Sequence, residues 1–443
     1  MKKILFAALG LLCLVSCAKQ PCCQLEHPCY AYDATIYELN TRQLTEEGTF
    51  KAAEAVLPAL KEIGVDIIWI MPIQKIGVLE RKGTLGSYYA ITDYCQFNPE
   101  FGTRADFEHF LAEAHNLGLK VILDWVANHT APDSEWTKND GWHYRDSLGN
   151  LMVQYDWTDI SKLNYDNQDM RAAMKQAMHW WMDTIGIDGF RCDVAHRIPI
   201  SFWEEARVEA EAIKPDVVIV AESSRPYDMR YAFDAEYNWS IARYAMRPIL
   251  DKDPKFADKG GMAYVRAQHI KNASVRPKGA LHWNMTDNHD FATDAFDNRM
   301  EKRLGNACCE LQLAFSFAID GVPFLFNGQE IAHDKRVSLF GHKDCWIDWK
   351  TDGATAVAKD RTEKIKAWAK MRKEHKALSY GSTEWIDNDC PAEVLSFKRV
   401  YEGANDVLFV GNFSDKEIKV KLANGSKYTL APWGYIFAPQ SKR

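Results

Sequence analysis

Short apolar runs of strand length recur along the chain and alternate with stretches of helical spacing. The strand-like runs occupy residues 36–40, 65–73, 121–124, 187–193, 217–222, 231–237, 280–285 and 322–326. Helical spacing is typical of residues 50–63, 106–117 and 170–185, and the methionines of the last stretch are expected to pack against a sheet. Strands separated mostly by helices predict an α/β fold with a parallel sheet closed as a (β/α)8 TIM barrel. A doubly wound open sheet is the alternative, but no glycine-rich phosphate loop follows the first strand.

The spacing of the strands predicts a short insert after the third strand. The chain takes 69 positions from Asp124 to Asp193, but 29 from Asp193 to Glu222. A strand with its returning helix needs about 30 residues. The surplus predicts an insert subdomain at about residues 130–166, whose tryptophans and tyrosines suit either a miniature core or a binding platform.

Beyond residue 378 the helical pattern gives way to short alternating strands. These cover residues 394–397, 406–413, 417–422 and 428–438, and turn signals such as Asn424-Gly425 separate them. We therefore predict a barrel over residues 34–378 and a C-terminal antiparallel β-sandwich domain over residues 379–443.

The first residues have the composition of a processing segment. Lys2 and Lys3 precede an apolar run that ends in Leu-Val-Ser-Cys at Cys17. This arrangement resembles a bacterial lipoprotein signal, so residues 1–17 are expected to be a signal peptide with Cys17 as the lipidation site. A plain secretory signal is the alternative. Residues 18–33 would form a tether to a bacterial membrane, the only membrane contact, and a periplasm-facing anchor is favoured over the cell surface because no acidic cluster follows Cys17.

Composition and charge narrow the class of protein. The 443 residues are 47% hydrophobic, which suits a large buried core. The formal net charge is −7, and loss of Lys2 and Lys3 leaves 52 basic against 61 acidic side chains, so no nucleic-acid partner is expected. The cysteines show no metal-ligand spacing, and no metal site is predicted from them. The oligomeric state cannot be predicted from the sequence.

Four carboxylates stand at or just past the ends of predicted strands. They are Asp124, Asp193, Glu222 and Asp290. In a barrel of this kind, reactive groups project from the C-terminal ends of the strands. Arg191 lies two residues before Asp193, on the same strand face, where it would keep that carboxylate ionised and aimed. Any single carboxylate could be a helix cap or a rim ion pair, but two carboxyls flanking a bond are the equipment for glycoside cleavage.

Four ordered segments resemble the signature regions of the alpha-amylase family of glycoside hydrolases, family thirteen. They are residues 124–129, 189–193, 221–223 and 288–290. Residues 86–94, 101–103 and 321–330 are also similar to family segments. The resemblance implies a retaining glycoside hydrolase that cleaves α-1,4-glucosidic bonds in starch-derived α-glucans or maltooligosaccharides by double displacement. The 15 tryptophans agree with it, because flat rings stack on sugars.

The resemblance also implies roles for individual residues. The expected catalytic residues are a nucleophile, a general acid and base, and a carboxylate that holds sugar hydroxyls: Asp193, Glu222 and Asp290. The expected substrate-binding residues are Tyr89, His129, Arg191 and His289, and Asp124 would be a structural brace. Glu222 must carry a proton while Asp193 stays ionised. Retention requires these two carboxyls to lie about 5 to 5.5 Å apart.

The sequence also departs from the family pattern. His196-Arg197 follows the nucleophile region where many members have Lys-His. No cofactor is required, and the resemblance leaves a structural calcium near Asn128 open. Lys162-Leu163-Asn164 resembles a region of neopullulanase-like members. Neopullulanase, α-glucosidase and α-glucan transglycosylase therefore remain alternatives, whereas a non-enzymatic sugar-binding barrel is disfavoured because all three carboxylates are present.

Overall fold

The computed structural model describes residues 24–293, 299–341 and 345–440. The predicted signal peptide, Cys17 and the first part of the predicted tether lie outside the described residues. Within the described part of the chain, no helix combines the length and apolarity needed to cross a bilayer.

Eight parallel strands close into a barrel, as predicted. They are β1 Ile36–Leu39, β2 Ile67–Ile70, β3 Lys120–Trp125, β4 Gly189–Cys192, β5 Val218–Ala221, β6 Ala235–Tyr237, β7 Leu281–Asn284 and β8 Val322–Phe326. Each strand pairs with the next, and β8 pairs with β1, where Ile36 faces both Ile67 of β2 and Phe324 of β8. The closed order confirms the TIM barrel and excludes the open sheet.

Helices surround the barrel. The α-helices are Thr41–Leu44, Phe50–Glu54, Leu57–Glu62, Arg104–Asn116, Gln168–Trp180, Ile200–Ile213, Trp239–Ile241, Arg247–Leu250, Met262–Val275, His289–Thr293, Met300–Leu304, Asn306–Ala318, Ala356–Glu374 and Lys376–Ser379. Single π turns cover Trp181–Ile185 and Ala242–Met246, and 3₁₀ turns cover Cys29–Ala31, Glu135–Lys138, Ala195–Arg197, Pro226–Arg230, Pro254–Lys259 and Gln329–Ile331. Between β5 and β6 the described chain has only a 3₁₀ turn in place of a helix. The sixth strand is shorter than predicted, because residues 231–234 are turn and loop.

Large aromatic side chains fill the barrel interior. The ring of Trp69 on β2 lies 5.4 Å from that of Tyr237 on β6 and 5.6 Å from that of Phe324 on β8. Outside the sheet, Met170 and Met174 are fully buried, which confirms the expected packing of the methionine stripe. Apolar packing therefore covers both faces of the strands, as a parallel sheet requires.

An N-terminal arm, residues 24–32, lies across the N-terminal ends of the strands, which form the base of the barrel. His27 Nδ1 lies 2.7 Å from Asp234 Oδ1, and its Nε2 lies 3.1 Å from the carbonyl oxygen of Gly279. The Tyr30 hydroxyl donates to the carbonyl oxygen of Asp216 at 2.8 Å. These three partners stand just before β6, β7 and β5, so the arm packs on the base.

The segment between β3 and the helix Gln168–Trp180 forms a small lobe. Its strands His129–Thr130 and Ser161–Lys162 pair antiparallel. The Trp136 ring lies 4.8 Å from that of Tyr94 and 5.1 Å from that of Trp142, so these rings pack the lobe against the main core of the barrel. Tyr155 instead is 60% exposed.

The C-terminal residues form an antiparallel β domain, as predicted. Its strands are β9 Ser382–Trp385, β10 Val394–Val400, β11 Val407–Asn412, β12 Ile418–Lys421, β13 Lys427–Leu430 and β14 Tyr435–Pro439. β9, β10, β11 and β14 form one sheet in that order, and β12 pairs with β13. Apolar residues from both sheets, including Val410 and Val420, share one buried cluster, as in a sandwich.

Candidate active site

Strand β4 begins at a position that only glycine can occupy. A Cβ at Gly189 would lie 1.9 Å from the carbonyl oxygen of Val218 on β5. Glycine therefore lets β4 approach β5 closely. Two positions later Arg191 points into the barrel, and Asp193 follows from the same face.

Arg191 joins the ends of three strands. Its Nη1 donates to Asp124 Oδ1 at 2.8 Å and to Asp193 Oδ1 at 3.0 Å, while its Nη2 donates to Glu222 Oε2 at 2.8 Å. Its Nε donates to the Tyr237 hydroxyl. The guanidinium is fully buried, and these charge-assisted bonds satisfy it. A single cation thus brings together three of the four carboxylates singled out in the sequence.

Asp193 and Glu222 each have one anchored oxygen and one accessible oxygen. Arg191 holds Asp193 Oδ1 and Glu222 Oε2. Within the described chain, Asp193 Oδ2 and Glu222 Oε1 have no hydrogen-bond partner and are not among the buried unpaired atoms. The side chains are 10% and 15% exposed, respectively. The neighbouring carboxyls can therefore act on one bound group, and their separation of about 5 to 5.5 Å stays a prediction.

A strained backbone position supports Glu222. Val194 has φ 37° and ψ 41°, a left-handed conformation that is costly for a β-branched residue. In that conformation its backbone N–H donates to Glu222 Oε2 at 2.8 Å. No sequence signal predicts this contact, because valine does not favour a left-handed backbone.

Burial shapes the electrostatics of the carboxylate cluster. Burial raises the pKa of Asp193 well above its usual range; Arg191 opposes this shift, and Glu222 and Asp124 add to it. Burial and the neighbouring carboxylates thus act on Asp193 against the pull of Arg191, and the ionised Asp193 that attack requires stays a prediction. Interacting carboxyls titrate as a unit, and this cluster retains a proton more easily than an isolated carboxyl does.

Asp124 is enclosed by protein. Its side chain is fully buried, and burial raises its pKa against the effect of Arg191. Its Oδ2 accepts hydrogen bonds from Trp69 Nε1 at 3.2 Å and from the Tyr89 hydroxyl at 3.0 Å. Asp124 therefore orients Arg191 and Tyr89 and has no accessible position for a ligand.

His289 links Glu38 to the rim. Its Nδ1 lies 2.5 Å from Glu38 Oε1, and its Nε2 lies 2.9 Å from the Tyr89 hydroxyl and 3.4 Å from Asp290 Oδ1. Burial alone would lower the pKa of His289, but the carboxylates of Asp290 and Glu38 raise it to about 10. His289 is therefore charged at neutral pH, and both ring nitrogens donate. Glu38, a carboxylate inside an apolar strand run, was not assigned a role from the sequence.

The charged state of His289 makes stability depend on pH. Its pKa in the folded protein lies above the unfolded value of about 6.5, so the stabilisation is complete below that value and is lost as pH rises towards about 10. Glu38→Gln should lower the free energy of unfolding by about 1.5–3 kcal/mol at pH 7 and flatten its decline between pH 7 and 10. Denaturant titrations at several pH values measure both effects.

Glu62→Gln is the matched control, because Glu62 is exposed and pairs with Lys366 on the surface. It should leave the pH profile unchanged. Equal profiles for the wild type and Glu38→Gln would contradict a charged His289 held by Glu38.

Tyr89 and His129 lie beside this network. The Tyr89 ring stacks on His289, with centroids 5.5 Å apart, and is half-buried. His129 is 3% exposed; its Nδ1 accepts from Asn128 Nδ2 at 3.0 Å, so its Nε2 donates to the carbonyl oxygen of Tyr89 at 3.2 Å. Burial lowers the pKa of His129 to about 4, which makes it neutral. His129 thus supports the Tyr89 backbone, and ligand contacts of both residues stay predictions.

Asp290 lies in the short helix after β7, with 31% of its side chain exposed. It lines an open cavity of about 290 Å³ together with Arg243, Arg247 and Phe291. Asp290 is therefore accessible to a ligand and lies next to His289.

Hydrogen bonds from Asn128 Nδ2 to Gln154 Oε1, at 2.8 Å, and to His129 orient the side chain of Asn128. A structural calcium near it stays a prediction. Ca²⁺ takes about six to eight oxygen ligands, and the described ranges contain no group of three His, Cys, Asp or Glu side chains placed to hold a metal. Chelation with EGTA tests it: a melting temperature that stays unchanged would exclude the ion, and a fall of several degrees that added Ca²⁺ reverses would confirm it.

The chain is similar in sequence to known proteins over most of its length. The sequence pattern described as alpha amylase, catalytic domain, matches residues 38–141 and 137–389, which is most of the chain. Two curated relatives are alpha-amylase MalA of Haloarcula japonica, 27% identical over 70% of this chain and 46% of its own length, and an intracellular maltogenic amylase of Bacillus subtilis, 26% identical over 78% and 58%. The chain thus spans about half the length of these relatives.

A solved structure is matched over more of its length than these curated relatives are. The crystal structure of a noncanonic maltogenic alpha-amylase, AmyB from Thermotoga neapolitana, superposes with a TM-score of 0.78 at 28% identity. The match covers 92% of this chain and 97% of that one. The barrel and the C-terminal domain therefore both have counterparts in one known protein.

Proposed function

Because the chain belongs to the alpha-amylase family, we propose that it is a retaining glycoside hydrolase acting on α-1,4-glucosidic bonds in starch-derived α-glucans or maltooligosaccharides. One observation carries the proposal. A buried arginine anchors one oxygen each of Asp193 and Glu222, and leaves the other oxygen of each accessible. One carboxylic acid beside one ionised carboxylate is what retaining glycoside cleavage needs.

The first step forms a covalent intermediate. Asp193 Oδ2 attacks the anomeric carbon while the bond from that carbon to the leaving oxygen breaks. Glu222 gives its proton to that oxygen, so the leaving sugar departs neutral. Arg191 and the Val194 N–H hold the other oxygens of the pair, so neither carboxyl has to reorient.

The second step releases the sugar. Glu222, now ionised, takes a proton from water as the water oxygen attacks the anomeric carbon and the bond to Asp193 breaks. Two inversions give net retention. A sugar hydroxyl in place of water would give transglycosylation by the same residues. Asp290 and charged His289 would hold the hydroxyls of the bound sugar. The exposed Tyr155 contacts Arg197, in the turn that follows Asp193, so we place it at the rim of the cleft.

Product stereochemistry and covalent trapping test this mechanism. Proton NMR of maltoheptaose hydrolysis should show the α-anomer first, and a slow fluorinated glycosyl fluoride should label the peptide that contains Asp193. Asp193→Asn is the matched control and should not be labelled. First release of the β-anomer, or a label on another side chain, would refute the assignment.

The substrate class is proposed from the same family membership. Relatives named maltogenic amylase and cyclomaltodextrinase support α-glucan hydrolysis. The lengths of products from maltoheptaose separate an amylase from an α-glucosidase. Cleavage of pullulan would favour the neopullulanase alternative suggested by Lys162-Leu163-Asn164, and products longer than the substrate would favour a transglycosylase.

We also propose that Cys17 is lipidated and that the enzyme is anchored to a bacterial membrane, facing the periplasm. The sequence Leu-Val-Ser-Cys after an apolar run supports the lipidation, and the absence of an acidic cluster after Cys17 supports the orientation. Substrate would then be processed next to the membrane.

A further inference from the structure

The N-terminal arm fixes where the chain leaves the barrel. The Gln24 N–H donates to the carbonyl oxygen of Arg230 at 2.9 Å, in the turn that leads down to β6. His27 Nδ1 and Asp234 Oδ1 lie 2.7 Å apart, and their side chains are 1% and 0% exposed. The amine of Lys120, at the start of β3, lies 5.0 Å from the centre of the Tyr30 ring. The arm is thus held at the base by contacts spread over several strands.

The proposed reactive residues lie at the opposite end of the same strands. Asp193 follows β4 and Glu222 follows β5, both at their C-terminal ends. Residues before β5 and β6, including Asp216 and Asp234, hold the arm at their N-terminal ends. The point at which the arm meets the barrel is therefore separated from the cleft by the full height of the barrel.

Covalent geometry limits how far the barrel can stand from a lipid anchor. Seven residue steps join Cys17 to Gln24, and fully extended chain spans at most about 3.6 Å per residue. An anchor at Cys17 therefore reaches at most about 25 Å from Gln24. That length is too short to let the molecule turn over and present the other end of the barrel to the bilayer.

The base also carries side chains suited to a membrane interface. Tyr380 and Tyr401 are 45% and 37% exposed. The Tyr380 ring stacks on that of Tyr32 of the arm, with centroids 5.2 Å apart, and lies 6.4 Å from that of Tyr401. With Lys278 nearby, Tyr32 and Tyr380 border an open hollow of about 590 Å³ at the base. Tyrosine is enriched at lipid headgroup level, where an apolar ring and a polar hydroxyl are both satisfied.

We propose that the anchored enzyme stands with the base of its barrel against the lipid headgroups and its cleft open to the aqueous side. The inference rests on the proposed lipidation of Cys17. Long glucan chains would then reach the cleft without approaching the bilayer, and the three tyrosines would meet headgroups. The partner surface is a phospholipid bilayer, not a second protein.

Hydroxyl-radical footprinting tests the orientation. The full chain, processed in bacterial cells, is reconstituted in vesicles of phosphatidylethanolamine and phosphatidylglycerol, and the Cys17→Ser protein in solution is the control. Tyr380 and Tyr401 should lose reactivity at least about threefold on vesicles, whereas Tyr155 at the rim should keep its reactivity. Protection of Tyr155 on vesicles, or unchanged reactivity of Tyr380, Tyr401 and Tyr155 alike, would overturn the proposal.

A longer tether provides a second test. Twenty Gly and Ser residues inserted after residue 20 should restore the reactivity of Tyr380 while the protein stays on vesicles. Mass spectrometry of the N-terminal peptide reports lipidation separately, and its absence would overturn the proposal at that step. Neither readout requires turnover, so failure of the proposed hydrolase activity would be seen independently.

Polymer hydrolysis provides a functional arm. The ratio of activity on soluble starch to activity on maltoheptaose should agree within about twofold between the vesicle-bound chain and soluble Cys17→Ser. A tenfold fall of that ratio on vesicles would indicate a cleft that faces the bilayer.

Discussion

Asp193→Asn should lower kcat on maltoheptaose about 10⁴-fold or more, with little change in the melting temperature. An amide cannot attack the anomeric carbon as a carboxylate does, yet its oxygen still accepts from Arg191 Nη1. Initial rates and differential scanning fluorimetry measure the two effects. Activity close to that of the wild type would refute the nucleophile.

Glu222→Gln should show a different pattern with different leaving groups. On maltoheptaose, the loss of a general acid is expected to cost about 10²–10⁴-fold. On maltosyl fluoride the loss in the first step should be much smaller, because fluoride departs without a proton. The same loss on both substrates would contradict the role of Glu222 as the acid.

Asp188→Asn is the matched control for both substitutions. Asp188 precedes the same strand at its opposite end and is 2% exposed. Burial would raise its pKa, but His115 at 2.7 Å and Lys214 at 2.9 Å hold it well below the usual range. This variant should lose stability but keep kcat. A loss of kcat equal to that of Asp193→Asn would mean that replacing any buried aspartate next to β4 lowers kcat.

Arg191→Ala should lower the free energy of unfolding by about 3–5 kcal/mol and abolish measurable activity. It leaves Asp124 fully buried without its cation, and it frees Asp193 and Glu222 from their common anchor. Arg191→Lys should rescue part of the stability and little of the activity, because one ammonium cannot form the same fork of bonds. Urea denaturation measures the loss of stability, and initial rates measure the loss of activity.

Arg197→Ala is the control for loss of an arginine from the same region. Arg197 is exposed and contacts Tyr155 at the rim. Its removal should change the free energy of unfolding by less than about 1 kcal/mol. A comparable loss of stability in both variants would contradict the view that burial and shared contacts, not charge as such, make Arg191 important.

Sequence periodicity predicted the barrel because each strand has to be apolar on both faces. It also placed Arg191 and Asp193 on one face, since alternate residues of a strand point the same way. Contacts that depend on closure of the barrel could not be predicted in this way. Glu38 and His289 are 251 positions apart and meet only because β8 pairs with β1.

Local conformation was the other feature that the sequence did not reveal. The N-terminal arm has no regular periodicity, so its packing on the base cannot be predicted from the sequence, which indicates only a tether over residues 18–33. The pairing of His27 with Asp234 depends on a contact across 207 positions. Spacing alone predicted the insert, but the division of its aromatic rings between the main core of the barrel and an exposed Tyr155 follows from packing.

The bond from residue 194 to Glu222 comes from the main chain, and every amino acid except proline carries that N–H. Alanine scanning would pass over this position, and a mutational library could vary its side chain freely while the acid keeps its support. The main-chain half of the support for the proton donor is thus insensitive to most substitutions at residue 194, whereas the half that Arg191 supplies is lost with its side chain.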